Sequence, residues 1–370
     1  MHLPKVTVAG YYGFGNTGDE AILESIIVSL RRYVPGVDLT VLSADPRATS
    51  AQHNVRAIQR FSPLAVASAI ASSDLLLFGG GSLLQDVTSL RSLMYYSFIL
   101  AAAQSMGKPT MVYANGFGPV RSALGKAMVR GVLRRTTVIT LRDAASAEEL
   151  DHLGIRLPNT RVTADPVFAL DPIPPANAER VLRCLTTSAP RRPLVGISLR
   201  PWHSAEDLAA KMASAADLLV DRLGATVVLI PMQPSCDAPL AAEVASTMRR
   251  PSIVLTRKSD VLKPREVMGV IGMMDAVLGM RLHSLIFSVA TGVPAAGVSY
   301  DPKIDAFLRA AGCPNLGTPG ELDPESVVTS VESLLDPANG HSERLLKKRE
   351  EFRRLALENA RMAAELLTGM

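Results

Sequence analysis

The sequence predicts an α/β protein made of two parallel-sheet halves, and three observations carry that prediction. Short β-rich runs ending in Gly or small polar residues alternate with longer stretches of helical spacing. The ten runs divide five and five about a proline-rich break, Asp171-Pro172-Ile173-Pro174-Pro175-Ala176-Asn177. At 370 residues and 48% hydrophobic, the chain is long enough for two domains that each bury a core, and too apolar to be disordered.

In the first half the expected strands are Val6–Ala9, Leu39–Leu42, Leu75–Phe78, Thr110–Ala114 and Val138–Leu141, with a helix over Glu20–Arg32 after the first. The break has too few backbone donors for a central strand or helix and reads as a linker. A polar stretch, Thr186 to Pro193, precedes the second half, which leaves Glu179–Leu185 as a short helix. The second set of strands is Leu194–Leu199, Thr226–Ile230, Ile253–Leu255, Ala276–Leu278 and Ala295–Val298. Ser342 to Leu367 reads as an amphipathic helix, with Leu345, Phe352, Leu355, Ala356, Ala363 and Leu366 on one face. Packing on the domains is its plain reading, and a basic membrane-surface helix the sharper one. The expected division is therefore 1–172, 173–340 and a C-terminal helix over 341–370. Each half is Rossmann-like, and ligands of such sheets bind beyond the carboxyl ends of the strands, so the expected site is a cleft between facing halves.

Lys+Arg 39 against Asp+Glu 35 gives a net charge of +4, which argues against a dedicated nucleic-acid binder and suits an acidic or phosphorylated small molecule. Cys184, Cys236 and Cys313 are scattered and odd in number, which indicates neither a disulfide framework nor a zinc site. No carboxylate cluster or His pair has metal-ligand spacing, so no metal is expected. Met1 to Gly10 lacks the pattern of a signal peptide. The apolar stretches Leu93–Ala103 and Leu285–Ala296 fall short of the ~20 residues that cross a bilayer. The expected location is the cytoplasm, with any membrane contact peripheral.

The glycine pattern Gly13-Phe14-Gly15-Asn16-Thr17-Gly18 follows a strand and opens a helix, as a dinucleotide site does. Asp19 and Glu20, however, stand where a pyrophosphate would sit and would repel it. Asp19 then either caps the helix, or the loop approaches a neutral, hydroxyl-rich ligand with Asp19 or Glu20 as acceptor, acid or base and Asn16 beside them. Phe78-Gly79-Gly80-Gly81-Ser82 strips a buried strand end of side chains, which gives Gly80, Gly81 and Ser82 a ligand-facing role. Gly116-Phe117-Gly118-Pro119 repeats the arrangement, or is a plain turn.

Arg142 lies just past a strand, as an anion clamp or as the partner of Asp143, and Arg200 holds the matching place in the second half. In Leu278-Gly279-Met280-Arg281-Leu282-His283-Ser284 an arginine, an imidazole and a helix N-terminus converge on one anion site. Lys303 follows the next strand as a further cation. Lys126, Arg130 and Arg134 form a basic stripe, read as a solvated face or as a contact to a diphosphate-bearing lipid headgroup.

Taken together, Gly10 to Ala21, the Gly79–Asp86 loop, Leu141-Arg142-Asp143, Ala164-Asp165-Pro166 and Gly279 to Ser284 resemble the polysaccharide pyruvyltransferase family, most of all its CsaB type, in order from about residue 5 to about 304. The resemblance implies a fold similar to the GT-B glycosyltransferases. It also implies transfer of the pyruvyl group of phosphoenolpyruvate to a sugar, leaving a cyclic ketal and releasing phosphate. In CsaB-type members the acceptor is N-acetylmannosamine of a lipid-linked cell-wall glycan precursor, and the ketal later anchors S-layer proteins. Phosphoenolpyruvate binding carries over onto Arg281, Leu282 and His283 by motif identity, and onto Arg142.

The residues themselves suit that ligand: Arg142, Arg200, Arg281 and Lys303 match its charges, and Ser284 stands at the same helix start. His283 is the expected proton carrier, Lys303 an electrostatic stabiliser and Asp19 the acid for carbon. Phosphoenolpyruvate is expected as donor substrate, with no other cofactor. Two rivals are a nucleotide-sugar-dependent GT-B glycosyltransferase and a non-catalytic binder of anionic glycans, which has no need of His283 or the triple glycine.

Overall fold

The computed structural model describes residues 3–87, 89–155, 157–186, 189–202, 207–257 and 261–369. Met1 and His2, and Thr187 and Ser188 of the polar stretch, lie outside the described residues. The chain forms two compact units. The first comprises Met1–Phe14, Asp19–Leu170 and Phe352–Met370, and the second Gly15–Gly18 and Asp171–Glu351.

The first unit holds a parallel sheet of β1 (Lys5–Ala9), β2 (Asp38–Ser43), β3 (Arg56–Gln59), β4 (Leu75–Gly79), β5 (Thr110–Asn115), β6 (Val138–Leu141) and β7 (Thr160–Val162), in the order β3-β2-β1-β4-β5-β6-β7. Every residue of β4 and β5 is buried, as expected of strands covered by helices on both faces. Five of these strands match the sequence expectation, and β3 and β7 are additional. Both are short edge strands with half-exposed or exposed side chains, Arg56-Ala57-Ile58-Gln59 and Thr160-Arg161-Val162, so neither carries an apolar run. The strand order reverses between β1 and β4, and there the connections leave for opposite faces and open a crevice at the carboxyl edge.

The second unit holds β8 (Leu194–Ser198), β9 (Thr226–Leu229), β10 (Ser252–Val254), β11 (Ala276–Gly279) and β12 (Ala295–Gly297), parallel and in the order β10-β9-β8-β11-β12. All five match expected strands. Val195, Ile197, Leu278 and Ala296 bury their side chains against Leu208, Met212, Leu219 and Val331. The reversal falls between β8 and β11, so the loops bearing Arg200 and Arg281 leave adjacent strand ends.

Two boundaries differ from the sequence expectation. The first helix starts at Thr17 rather than Glu20, with the Asn16 side chain accepting from the Gly18 N–H at 3.1 Å in the entry turn. The expected linker ends early, because a helix spans Pro175–Arg183: proline at a first helical position has its φ preset and no N–H to waste.

The helix His341–Thr368 packs through Leu345, Ala356, Ala360, Ala363 and Leu367. Within the first unit Phe352 meets Phe168 with ring centroids 4.8 Å apart. Asn359, fully buried, accepts from the Thr163 hydroxyl at 2.8 Å and donates to the Ala164 carbonyl at 3.2 Å. Among the described residues no helix is long and apolar enough to cross a membrane. Asn359→Ala takes the side-chain donor from the buried Ala164 carbonyl and leaves the Thr163 hydroxyl only its bond to the Leu141 carbonyl at 3.1 Å, and is expected to cost about 1–3 kcal/mol. Chemical denaturation followed by fluorescence checks this, and an unchanged midpoint would contradict it.

Candidate functional site

In the second unit Arg281 follows β11 by two residues and stands at the N-cap of the helix Leu282–Thr291. Its guanidinium is gripped in two-pronged fashion by Asp237, with Nε to Oδ2 at 3.0 Å and Nη2 to Oδ1 at 2.5 Å, and Nη2 also reaches Gln233 Oε1 at 3.4 Å. Asp237 is 1% exposed, so its charge needs that partner. It in turn accepts from the Gln233 N–H at 2.8 Å, which ties it to the loop after β9. Arg281 Nη1 has no protein partner among the described residues. The pair thus orients the guanidinium and leaves one edge for a ligand, next to a helix start with N–H groups not used by the helix.

The His283 imidazole is half-buried against the backbone of Gly18, where an added Cβ would lie 2.1 Å from Nδ1. Gly18 does not have a positive φ, so space rather than backbone conformation demands glycine there. The last glycine of the Gly13–Gly18 pattern thus admits an imidazole. Thr17 N–H donates to the Met232 carbonyl at 2.8 Å and holds the segment in place.

The other expected cations of this unit are also engaged. Lys303 Nζ pairs with Asp301 Oδ2 at 3.0 Å, and the Asp301 side chain caps the helix Pro302–Ala311. Arg200 Nη1 donates to the Tyr300 hydroxyl at 2.9 Å, and its Cζ lies 4.7 Å from the Tyr300 ring centroid and 5.9 Å from that of Trp202. No carboxylate among the described residues pairs with Arg200. Leu282 is buried in the core, and the Ser284 hydroxyl, also buried, donates to the Arg281 carbonyl at 2.6 Å. As placed, both shape the turn that carries Arg281 and His283.

In the first unit the triple-glycine loop, Arg142 and Asp165 come together. Gly80 and Gly81 take φ of +53° and +76°, the left-handed region that favours glycine. The Arg142 side chain, 8% exposed, donates from Nε to Asp143 Oδ2 at 3.2 Å and from Nη2 to Ser82 Oγ at 3.4 Å, with Nη1 3.8 Å from Asp165 Oδ2. An ion pair with Asp143, one of the two sequence readings, is what the geometry displays, and Asp165 adds a second carboxylate. Asp165, 2% exposed, also caps the short helix Pro166–Ala169 through the Val167 N–H. Gly116 leaves room for them, since a Cβ there would lie 2.4 Å from Arg142 Nη2 and 2.7 Å from Ser82 Oγ and would push both side chains aside.

Where β5 turns toward this cluster, Ala114 has φ +45° and the β5–β6 register shifts. That local strain, of order 1–3 kcal/mol, lets the Asn115 carbonyl accept from the Arg142 N–H. Asp19, half-buried, has Oδ1 facing Gly81, 3.2 Å from where a Cβ would be. Glu20 is turned inward, accepting from the Gly13 N–H at 2.8 Å.

Sequence reasoning missed three residues. Asp237 orients Arg281 but belongs to no motif, and only its place after a strand end could have suggested it. Asp165 was seen within Ala164-Asp165-Pro166 without its arginine. Arg60 is 5% exposed and lies among the rings of Phe14, Phe61, Tyr95 and Tyr96, with Cζ 4.6–5.3 Å from their centroids. It donates to the Gly10 carbonyl at 3.1 Å and the Tyr96 hydroxyl at 3.2 Å, which fixes the loop after β1. Burial pushes the Tyr96 phenol up to about 12 despite Arg60, so its hydroxyl stays protonated. Among the described residues no group of three His, Cys, Asp or Glu is placed to hold a metal ion.

Gly18→Ala is expected to push the His283 ring from its place. Histidine side-chain NMR reads this directly, and a His283 signal identical to that of the unaltered protein would contradict the close approach.

The polysaccharide pyruvyl transferase family model matches residues 16–302. The amylovoran biosynthesis protein AmsJ of Erwinia amylovora is 22% identical, over 90% of this chain and 92% of that protein. The S. aureus MnaA–UDP structure superposes with a TM-score of 0.69 at 10% identity, covering 100% of this chain and 98% of that one. Anabaena Alr3699/HepE in complex with UDP and glucose superposes at 0.63 with 13% identity, covering 100% of both chains. At such identities the two structures speak for the fold alone: α/β, with two Rossmann-like domains of the GT-B kind. On the family match across most of its length, the chain belongs to the polysaccharide pyruvyl transferases and is an enzyme of that class.

Proposed function

We propose that the enzyme takes its pyruvyl group from phosphoenolpyruvate and forms a cyclic ketal on a sugar. The acceptor of this reading is N-acetylmannosamine of a lipid-linked secondary cell-wall polysaccharide precursor. The observation that carries the donor assignment is the Arg281–His283 turn: a guanidinium held by Asp237 with one edge open, an imidazole in the next turn, and a helix N-terminus, all suited to an anion with two acidic groups. Arg200, with no carboxylate partner among the described residues, adds a second cation from the adjacent strand end. Lys303 is a third, shared with Asp301.

A proton adds to the methylene carbon of phosphoenolpyruvate, and a sugar hydroxyl adds to the resulting cationic carbon and loses its proton. The C–O bond to phosphate then breaks, and a second hydroxyl of the sugar closes the ring and loses its proton. One proton goes to carbon, one leaves with phosphate, and the two hydroxyls supply both. In this scheme His283 accepts a hydroxyl proton and delivers one to the departing phosphate, a role for an imidazole, whose ring nitrogens can both accept and donate a proton. Lys303 offsets charge on the phosphate. Asp19 is the proposed acid for carbon, on its carboxyl chemistry, with Gly80, Gly81 and Ser82 lining the strand end beside it and Arg142 orienting Ser82. Asn16 shapes the glycine turn that bears on His283. No metal or further cofactor has a role in this scheme.

The test is incubation with phosphoenolpyruvate and an N-acetylmannosamine-terminated acceptor, followed by phosphate release and the mass of the sugar product. Phosphate and a ketal-bearing sugar in equal amounts are expected. His283→Gln is expected to lower kcat by roughly 10²–10⁴-fold, as for loss of a general acid–base group, with KM for phosphoenolpyruvate little changed. Near-wild-type turnover in that variant would overturn the role of His283.

A further inference from the structure

Three helices, Pro63–Ser72, Leu90–Ser105 and Ala123–Leu133, lead into β4, β5 and β6. Right-handed crossovers running in one direction along the sheet place all three on the same face, and neighbouring pairs touch. They expose large apolar side chains: Leu64 is 85% exposed, Phe98 66%, Leu124 55%, Met94 46% and Leu90 36%. Leu90, Met94 and Phe98 recur every fourth residue and form one row, while Leu93, Tyr96, Ile99 and Leu100 of the same helix are buried. The exposed row is thus a second apolar face in addition to the one that fills the core. Exposed apolar rows on neighbouring helices of a folded unit point to an interaction surface.

Charge identifies what the surface meets. From Arg60 to Arg135 the chain has eight Lys and Arg and two acidic residues; Arg60 is buried, and Lys108, Arg134 and Arg135 precede β5 and β6 at the amino end of the sheet, which leaves Arg91, Arg121, Lys126 and Arg130 on the three helices and the loops at their starts. One acid, Asp74, accepts from the Lys5 N–H ahead of β4, at the opposite end of the sheet. The other, Asp86, is taken up by the backbone N–H groups of Arg121 and Ser122, each at 2.8 Å. Burial raises the Asp86 carboxyl, but those hydrogen bonds outweigh it and hold the group below its ordinary value. Arg91 and Arg121 are exposed and Lys126 half-exposed, next to Leu90 and on either side of Leu124.

We propose that this face docks on an anionic lipid bilayer, with Leu64, Leu90, Met94, Phe98 and Leu124 entering the headgroup layer and Arg91, Arg121 and Lys126 meeting lipid phosphates. A second copy of the chain fits worse, because a self-complementary contact sets the like charges of both copies together. The helix starts lie at the carboxyl edge of the sheet, the edge that bears the triple-glycine loop and Arg142. The surface deepens the reading above and rests on it for its purpose, delivery of a lipid-linked acceptor to that edge, but the binding itself is measured without turnover.

The experiment is co-sedimentation of the full chain with vesicles of phosphatidylcholine alone and of phosphatidylcholine with phosphatidylglycerol. Binding to the anionic vesicles only, weakening with salt, is expected. The double variants M94S/F98S and R91E/K126E are each expected to lower the bound fraction roughly tenfold or more, the first by removing apolar area from the headgroup layer and the second by reversing two charges that face lipid phosphates. Circular dichroism and thermal midpoints check that both fold. Val28→Ser, on the helix Thr17–Tyr33 and 45% exposed, lies on the opposite face of the sheet and is expected to change nothing. No binding to anionic vesicles, or binding kept by both double variants, overturns the proposal. Self-association abolished by the same variants, without vesicle binding, reassigns the face to a second copy. Absent vesicle binding with intact pyruvyl transfer to a soluble acceptor removes the docking surface alone, and vesicle binding without pyruvyl transfer removes the functional reading alone.

Discussion

A parallel strand that ends in glycine leaves a space at its carboxyl end the size of a side chain, and in both units the candidate site is built into such spaces. A Cβ at Gly279 would lie 2.7 Å from Ser284 Oγ, so the helix that carries His283 can start directly over the end of β11. A Cβ at Gly116 would meet both Arg142 and Ser82, and one at Gly18 the imidazole of His283. The functional groups of the two edges depend on these close approaches. They are set by the backbone, which a rigid parallel sheet supplies with little freedom to adjust.

A second constraint is electrostatic. Arg142 and Arg281 are largely buried, and an unpaired guanidinium there carries a heavy desolvation cost. Each is therefore held by a carboxylate more buried than itself, Asp165 for Arg142 and Asp237 for Arg281. Such pairing reduces the raw positive potential at each site, but it fixes where the remaining donors point. For an anion with two acidic groups, donors set in advance contribute more than mobile charge, because no ordering cost falls due on binding.

The parts of this architecture that repeat were legible in the sequence. Ten of the strands have apolar runs because both their faces are covered, and the glycines, Arg281 and His283 fall where those runs end. What escaped lacks a local signature. The edge strands β3 and β7 are polar because one side of each is open, and the helix beginning at Pro175 was hidden by prolines that also suit a linker. Asp237 and Arg60 act through partners 44 and 50 residues away in the chain, Arg281 and the Gly10 carbonyl, and no spacing rule reaches that far. Arg142 and Lys303 follow strand ends, as the sequence has them, but the choice between a nearby acid and a ligand, left open for Arg142 and not raised for Lys303, depends on rotamer and burial.

The donor is the central claim, and the fold is shared with proteins whose structures hold UDP. The most direct measurement is the thermal shift of the pure protein with phosphoenolpyruvate and, in parallel, with UDP, because a ligand that binds only the folded state raises the midpoint by mass action. The account predicts a rise with phosphoenolpyruvate that vanishes in Arg281→Ala, and none with UDP. A rise with UDP alone would contradict it and point to glycosyl transfer.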